Sequence, residues 1–131
     1  MIDAAQREAA EFELTVQVSA GLGDARLPVL RRAVAATSSK AGLPLNRIDD
    51  AILILEALLA DRHTSQADEV HLILTARPGS FEMMIGPFPG LEAERLLLQA
   101  ALPIVGPVIE RLASCAQTID GGSHLLIVVD A

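Results

Sequence analysis

Tryptophan and tyrosine are absent from this chain, and only three phenylalanines occur in 131 residues. Any core must therefore be aliphatic, built from Leu, Ile, Val and Ala. Hydrophobic residues make up 51% of the sequence, which excludes a disordered chain. The shortage of aromatics also excludes the aromatic-plus-basic sheet that stacks RNA bases. Cysteine is reduced to Cys115, so an internal disulfide and a cysteine-rich zinc site are excluded. Cys115 follows Leu112 and Ala113 and is expected to be a small buried core residue.

Positive charge is also scarce. Ten Lys and Arg stand against 17 Asp and Glu, a formal net charge of -7. Nonspecific nucleic-acid binding needs clustered cations, so nucleic acid is not an expected partner. The balance fits a soluble cytoplasmic protein that meets a basic protein surface. No apolar run reaches the roughly 18 residues of a membrane helix. The longest candidate, 96–109, is broken by Pro103 and Pro107. Residues 1–13 lack the basic start and apolar stretch of a signal peptide. The expected location is the cytoplasm, with no membrane partner. His63, His71 and His124 lack the i, i+2 or i, i+4 spacing of a zinc site, and no metal is expected. Nucleophile-elbow, zinc-protease and phosphate-loop motifs are missing as well.

The chain is long enough for one domain with a real core. Residues 1–11 read as a polar tail and 12–131 as a single domain. Residues 13–19 alternate with period two, the mark of a half-buried strand ended by Gly21 and Gly23. Asp24 can cap a helix over 25–41, with Leu27, Leu30, Val34 and Thr37 on one stripe. Its arginines, Arg26, Arg31 and Arg32, are expected on a solvated face. Gly42 suits the C-terminal cap and Pro44 the exit. Asn46 is the expected N-cap of a second helix from about 47 to 61 or 63, with Asp49 as its capping-box partner. Residues 70–76 and 81–85 read as a hairpin about Pro78-Gly79. Residues 86–90, Gly-Pro-Phe-Pro-Gly, cannot be regular structure. Helical pattern returns over 91–101 and 107–114, and 116–119 and 123–129 read as closing strands about Asp120-Gly121-Gly122. This order gives an α+β fold, a two-layer sandwich with helices on one face of a mostly antiparallel sheet.

Glu56 is the one charged residue in the run 51–60, Ala-Ile-Leu-Ile-Leu-Glu-Ala-Leu-Leu-Ala. A dry, unpaired carboxylate there would cost several kcal/mol, so it must be neutral, partnered or facing a pocket. Two readings stand: a Glu on the helix's one polar edge, or a relic catalytic carboxylate. His63, at the end of the same helix, reads as a cationic cap.

The element order and the residues within it resemble the histidine-kinase-like ATPase (Bergerat) fold. The nearest branch is the single-domain bacterial anti-sigma factors that are also serine kinases. The likeness spans roughly residues 12–130. It rests on Asp50 with Glu56-Ala57 on the second helix, on 108–113, which resembles the helix after the family's lid, and on Gly121-Gly122-Ser123, which resembles its closing hairpin.

The departures fall on the nucleotide contacts. Where the family has a magnesium-ligating Asn, four residues after Glu56, this chain has Ala60, and magnesium binds through oxygens. Gly86 stands for the Asp that reads adenine, and Phe88 for the first glycine of that motif; only Gly90 matches it. The glycine-rich lid is replaced by a segment without glycine or lysine, 91–105, leaving no backbone cradle for phosphates. Losing contacts to base, metal and phosphates together raises an ATP dissociation constant by several orders of magnitude. Phe88 and the 91–102 segment are expected to fill the vacated space. The resemblance thus implies a degenerate anti-sigma-like regulator without a cofactor, whose partner is a sigma factor, an anti-sigma antagonist or a second copy. One alternative is a divergent serine kinase using ATP, magnesium and Glu56 as general base. Another is a structural dimerisation domain.

Overall fold

The computed structural model describes residues 12–103 and 105–131; the expected tail over 1–11 lies outside them. The period-two segment forms β1 (Leu14–Gly21). It runs past the expected end because Gly21 still pairs with Glu69, and the Leu22 N–H donates to the Asp68 carbonyl at 2.9 Å. Next come α1 (Arg26–Lys40), α2 (Leu45–Ala60) and the short α3 (Arg62–Gln66). The hairpin strands are β2 (Glu69–Arg77) and β3 (Ser80–Ile85). After an irregular loop, α4 (Glu92–Gln99) leads into the two-residue strands β4 (Ala101–Leu102) and β5 (Gly106–Pro107), then α5 (Val108–Leu112). β6 (Cys115–Ile119) and β7 (His124–Asp130) close the chain about a 3-10 turn at Asp120–Gly122.

Five strands form one sheet in the order β1-β2-β3-β7-β6, every neighbouring pair antiparallel. One face carries Leu72, Leu74, Phe81, Met83, Ile85, Leu125 and Ile127, all at most 1% exposed. Leu30 and Val34 of α1 and Ile54, Leu55 and Leu58 of α2 pack into the same core. Each such side chain contributes roughly 1.5–3 kcal/mol by leaving water. The expected two-layer α+β sandwich is the observed one.

Several local expectations change. α2 starts at Leu45, with Pro44 as its N-cap and no side-chain cap, so Asn46 and Asp49 form no capping box. Arg47 is held by Asp50 at 2.6 Å instead. Asp24 does not cap α1, whose N-cap is Ala25. α2 stops at Ala60, so His63 belongs to α3 rather than to the end of α2. Gly42 does end α1 with φ +79°, its N–H on the Ser39 carbonyl at 2.9 Å. Cys115 is exposed rather than buried. It opens β6 opposite Val128, on the face turned away from the core residues Leu125 and Ile127.

Candidate functional site

α2 ends where the chain must turn back to start β2, and Asp61 manages that turn. Its carboxylate accepts the His63 N–H at 3.1 Å and so caps α3. The same carboxylate is gripped by Arg95 of α4 at 2.8 and 3.1 Å, a bidentate contact. Arg95 also donates to Glu92 at 2.8 and 3.0 Å, one turn earlier on α4. The hydrogen bond from Arg95, above all, holds the Asp61 carboxyl below the usual carboxylate range. Arg95 likewise lowers Glu92 and is itself raised, first by Asp61 and then by Glu92. The His63 ring nitrogen Nε2 stands 3.7 Å from Glu92. α4 is thereby tied to the α2–α3 junction.

Beside this clamp lies a cleft of about 230 Å³, lined by apolar residues such as Val70, Ile85 and Phe88 and also by His63, Glu69, His71 and Glu92. Phe88 is half-buried against the core, and its N–H donates to the Ser123 carbonyl at 2.7 Å. That bond stitches the β3–α4 loop to the β6–β7 turn. Gly86 has φ +152°, and a Cβ built there would stand 2.7 Å from the His124 ring and 2.8 Å from the Ser123 carbonyl oxygen. The chain passes too close to β7 at Gly86 for any side chain. Thr64, 3% exposed, has a buried hydroxyl with no hydrogen-bond partner among the described residues.

The expectation that Phe88 and the 91–102 segment fill this space is corrected. Ala93, Leu96 and Ala100 pack inward, but Leu91 and Leu98 are about three-quarters exposed, and the cleft stays open. An eight-residue helix can turn only one stripe toward the core.

Glu56 and Ala60 do not face this cleft. They line a second, wider hollow of about 320 Å³ with Leu27, Leu59 and Arg26. Glu56 is 28% exposed and accepts from Arg31 at 2.8 Å, at the α1–α2 seam. α3 stands between the two hollows: Thr64 and Ala67 face one, Ser65 the other. The residues matched to one site by resemblance therefore occupy two. Gly90 and Ser123 line neither hollow. Ser123 is held in its own turn, donating to the Asp120 carbonyl at 2.9 Å.

Arg26, expected on a solvated face, is 7% exposed. Its guanidinium donates to the carbonyls of Gly21 at 2.9 Å, Thr64 at 3.2 Å and Ala67. It thus ties the end of β1 to α3 and lines the second hollow. A signal for this was present in the sequence: Arg26 lies four residues before Leu30, on the inward stripe. His71 and His124 are partnered locally, by Ser19 at 2.6 Å and Ser123 at 2.7 Å.

Among the described residues no three His, Cys, Asp or Glu side chains are placed to hold a metal ion. No described helix is long and apolar enough to cross a membrane. No protein-family model matches the chain, and no curated protein is significantly similar to it in sequence.

Proposed function

We propose that this protein is a protein-binding regulator on a histidine-kinase-like ATPase scaffold, and that it binds its partner without using a nucleotide. One observation carries the reading. The positions matched to the family's metal contact and catalytic carboxylate, Ala60 and Glu56, open on one hollow, while those matched to its base contact, Gly86 and Phe88, open on another. The short helix α3 stands between the two, so the matched positions do not share one hollow. The backbone at Gly86 supports the same reading, because His124 and Ser123 leave no room for the adenine-reading carboxylate. The cleft's 230 Å³ also falls below the roughly 300–1,000 Å³ of sites that engulf a drug-sized ligand. By resemblance, the partner is a sigma factor or an anti-sigma antagonist of the same cell.

Titration calorimetry with magnesium and ATP is the test. No heat of binding is expected at millimolar nucleotide. A saturable isotherm would overturn the reading and favour the serine kinase with Glu56 as base. Glu56→Gln would then abolish phosphate transfer, whereas under the proposal it leaves partner binding unchanged.

A further inference from the structure

The cleft beside α4 is held open from two sides. On one, the Asp61–Arg95 pair fastens α4. On the other, the Phe88 N–H on the Ser123 carbonyl, at 2.7 Å, pins the β3–α4 loop. Pro87 and Pro89 bracket Phe88, and each fixes its own backbone φ. Leu91, the next large apolar side chain, is 75% exposed and leaves the space unfilled. A site with fixed walls loses little freedom when a ligand enters.

The volume of about 230 Å³ bounds the occupant. An apolar cavity of roughly 150 Å³ holds benzene. This cleft therefore takes one ring, or a branched alkyl group of that size, with a short tail. Val70, Ile85, Phe88 and the two prolines supply the apolar contact. Val70 and Ile85 are themselves buried core residues, so that wall cannot yield without disturbing the sheet.

The polar part of the lining has one character. Glu69 and Glu92 both border the cleft, and no lysine or arginine does. Arg95 reaches Glu92 from outside the lining, at 2.8 and 3.0 Å, and takes only its Oε2; His63 stands 3.7 Å from the same atom. Glu92 Oε1 has no partner among the described residues. Arg95 holds the Glu92 carboxyl below the usual range, so it is ionised at neutral pH. Glu69 is 55% exposed, with the His71 ring 3.6 Å from its Oε2. Thr64 also lines the cleft, and its buried hydroxyl lacks a partner among the described residues. All of these oxygens can accept a hydrogen bond, and an ammonium group carries three donors and no acceptor. The net charge of -7 attracts the same kind of ligand.

We infer that this cleft binds a small primary amine, its apolar body against Val70, Ile85 and Phe88 and its ammonium group on Glu69 and Glu92. It is a site for an organic cation, not for the anionic triphosphate of a nucleotide. An anion of the same shape meets two carboxylates and is rejected. A neutral isostere keeps the apolar contact and loses the ionic one. The lining comes from α3, β2, the β3–α4 loop and α4, so an occupant braces segments that the Asp61–Arg95 pair already joins.

Proton–nitrogen correlation spectra of the full chain, titrated separately at neutral pH with benzylamine, benzyl alcohol and benzoate, test this. Benzylamine should shift the amides of Val70, His71, Ile85 and Phe88 saturably at millimolar concentration. Benzyl alcohol should bind roughly fivefold more weakly, the loss of a partly exposed ionic contact. Benzoate should not bind. Glu69→Gln should weaken benzylamine roughly threefold and leave benzyl alcohol unchanged. Ala67 lines the cleft, and Ala67→Leu should fill it, abolishing both while circular dichroism stays that of the wild type. Should that variant unfold, the Glu69→Gln comparison still decides. The absence of any saturable shift with benzylamine overturns the proposal. So do equal affinities for the three probes, shifts confined to amides away from the cleft, or a benzylamine affinity indifferent to Glu69→Gln. The titrations contain neither nucleotide nor protein partner, so their outcome is independent of whether the chain binds ATP or a regulatory partner.

Discussion

Arg95 and Asp61, 34 residues apart in the chain, form the bidentate ion pair that fixes α4 over the α2–α3 junction, with Asp61 only 13% exposed. The helix α4 is therefore fastened to that junction rather than hinged.

Arg95→Ala should destabilise the fold by about 1 kcal/mol at neutral pH, the upper end for a partly exposed pair. The effect should fade in acid. Asp61 has a folded pKa below its unfolded one, so its contribution is full above the unfolded carboxylate range and is lost as pH falls through the lower folded value. Urea unfolding of both proteins at pH 7 and in strong acid should show the gap closing. A constant gap would mean that Arg95 acts through packing alone.

Two arginines on α1 should behave oppositely. Arg26 is buried on three carbonyls, whereas Arg31, on Glu56, is 44% exposed on its side chain. Arg26→Ala strips a charged donor from three carbonyls and should cost about 3 kcal/mol or more. Arg31→Ala should cost under about 1 kcal/mol. Denaturant midpoints compare them directly, and equal losses would contradict the separation.

That contrast also marks how much the sequence disclosed. The strands announced themselves through period-two alternation, and the β2–β3 hairpin through Pro78-Gly79, because these signals are local. So was Gly42, whose left-handed conformation ends α1. The burial of Arg26 departs from arginine's usual place outside because two of the three carbonyls that accept from it come from Thr64 and Ala67, far along the chain. The Asp61–Arg95 clamp has no local pattern at all. Nor could spacing reveal that α3 divides Glu56 and Ala60 from Gly86 and Phe88, since motif positions carry no information about which side of a short helix they face. The exposure of Cys115 is a matter of one parity step: Leu112 before it belongs to α5, but its own strand position looks away from the core.

Gly86→Ala should destabilise by about 1–3 kcal/mol through overpacking. The added Cβ would meet both the His124 ring and the Ser123 carbonyl oxygen. His124→Ala can relieve only the first contact, so the double variant should recover part of the loss, not all of it. Gly86→Asp should fail to create a nucleotide site for the same reason. Thermal melts check the first two statements, and a wild-type melting temperature for Gly86→Ala would show that the loop moves freely away from β7.

Thr64→Val should leave the fold as stable as before or raise its stability by about 1 kcal/mol. Threonine to valine normally costs stability where the hydroxyl is bonded. Here the hydroxyl is buried beside the cleft without a partner among the described residues. An unmet buried hydroxyl costs about 1–3 kcal/mol, and valine has nearly the same shape without that cost. The Thr64 carbonyl, which accepts from Arg26 at 3.2 Å, is untouched by the change. Valine also has no hydroxyl to compete with the backbone of α3. Chemical denaturation of the single variant decides the matter. A loss above about 1 kcal/mol would mean that the hydroxyl is bonded in solution, to ordered water in the cleft or to residues 1–11.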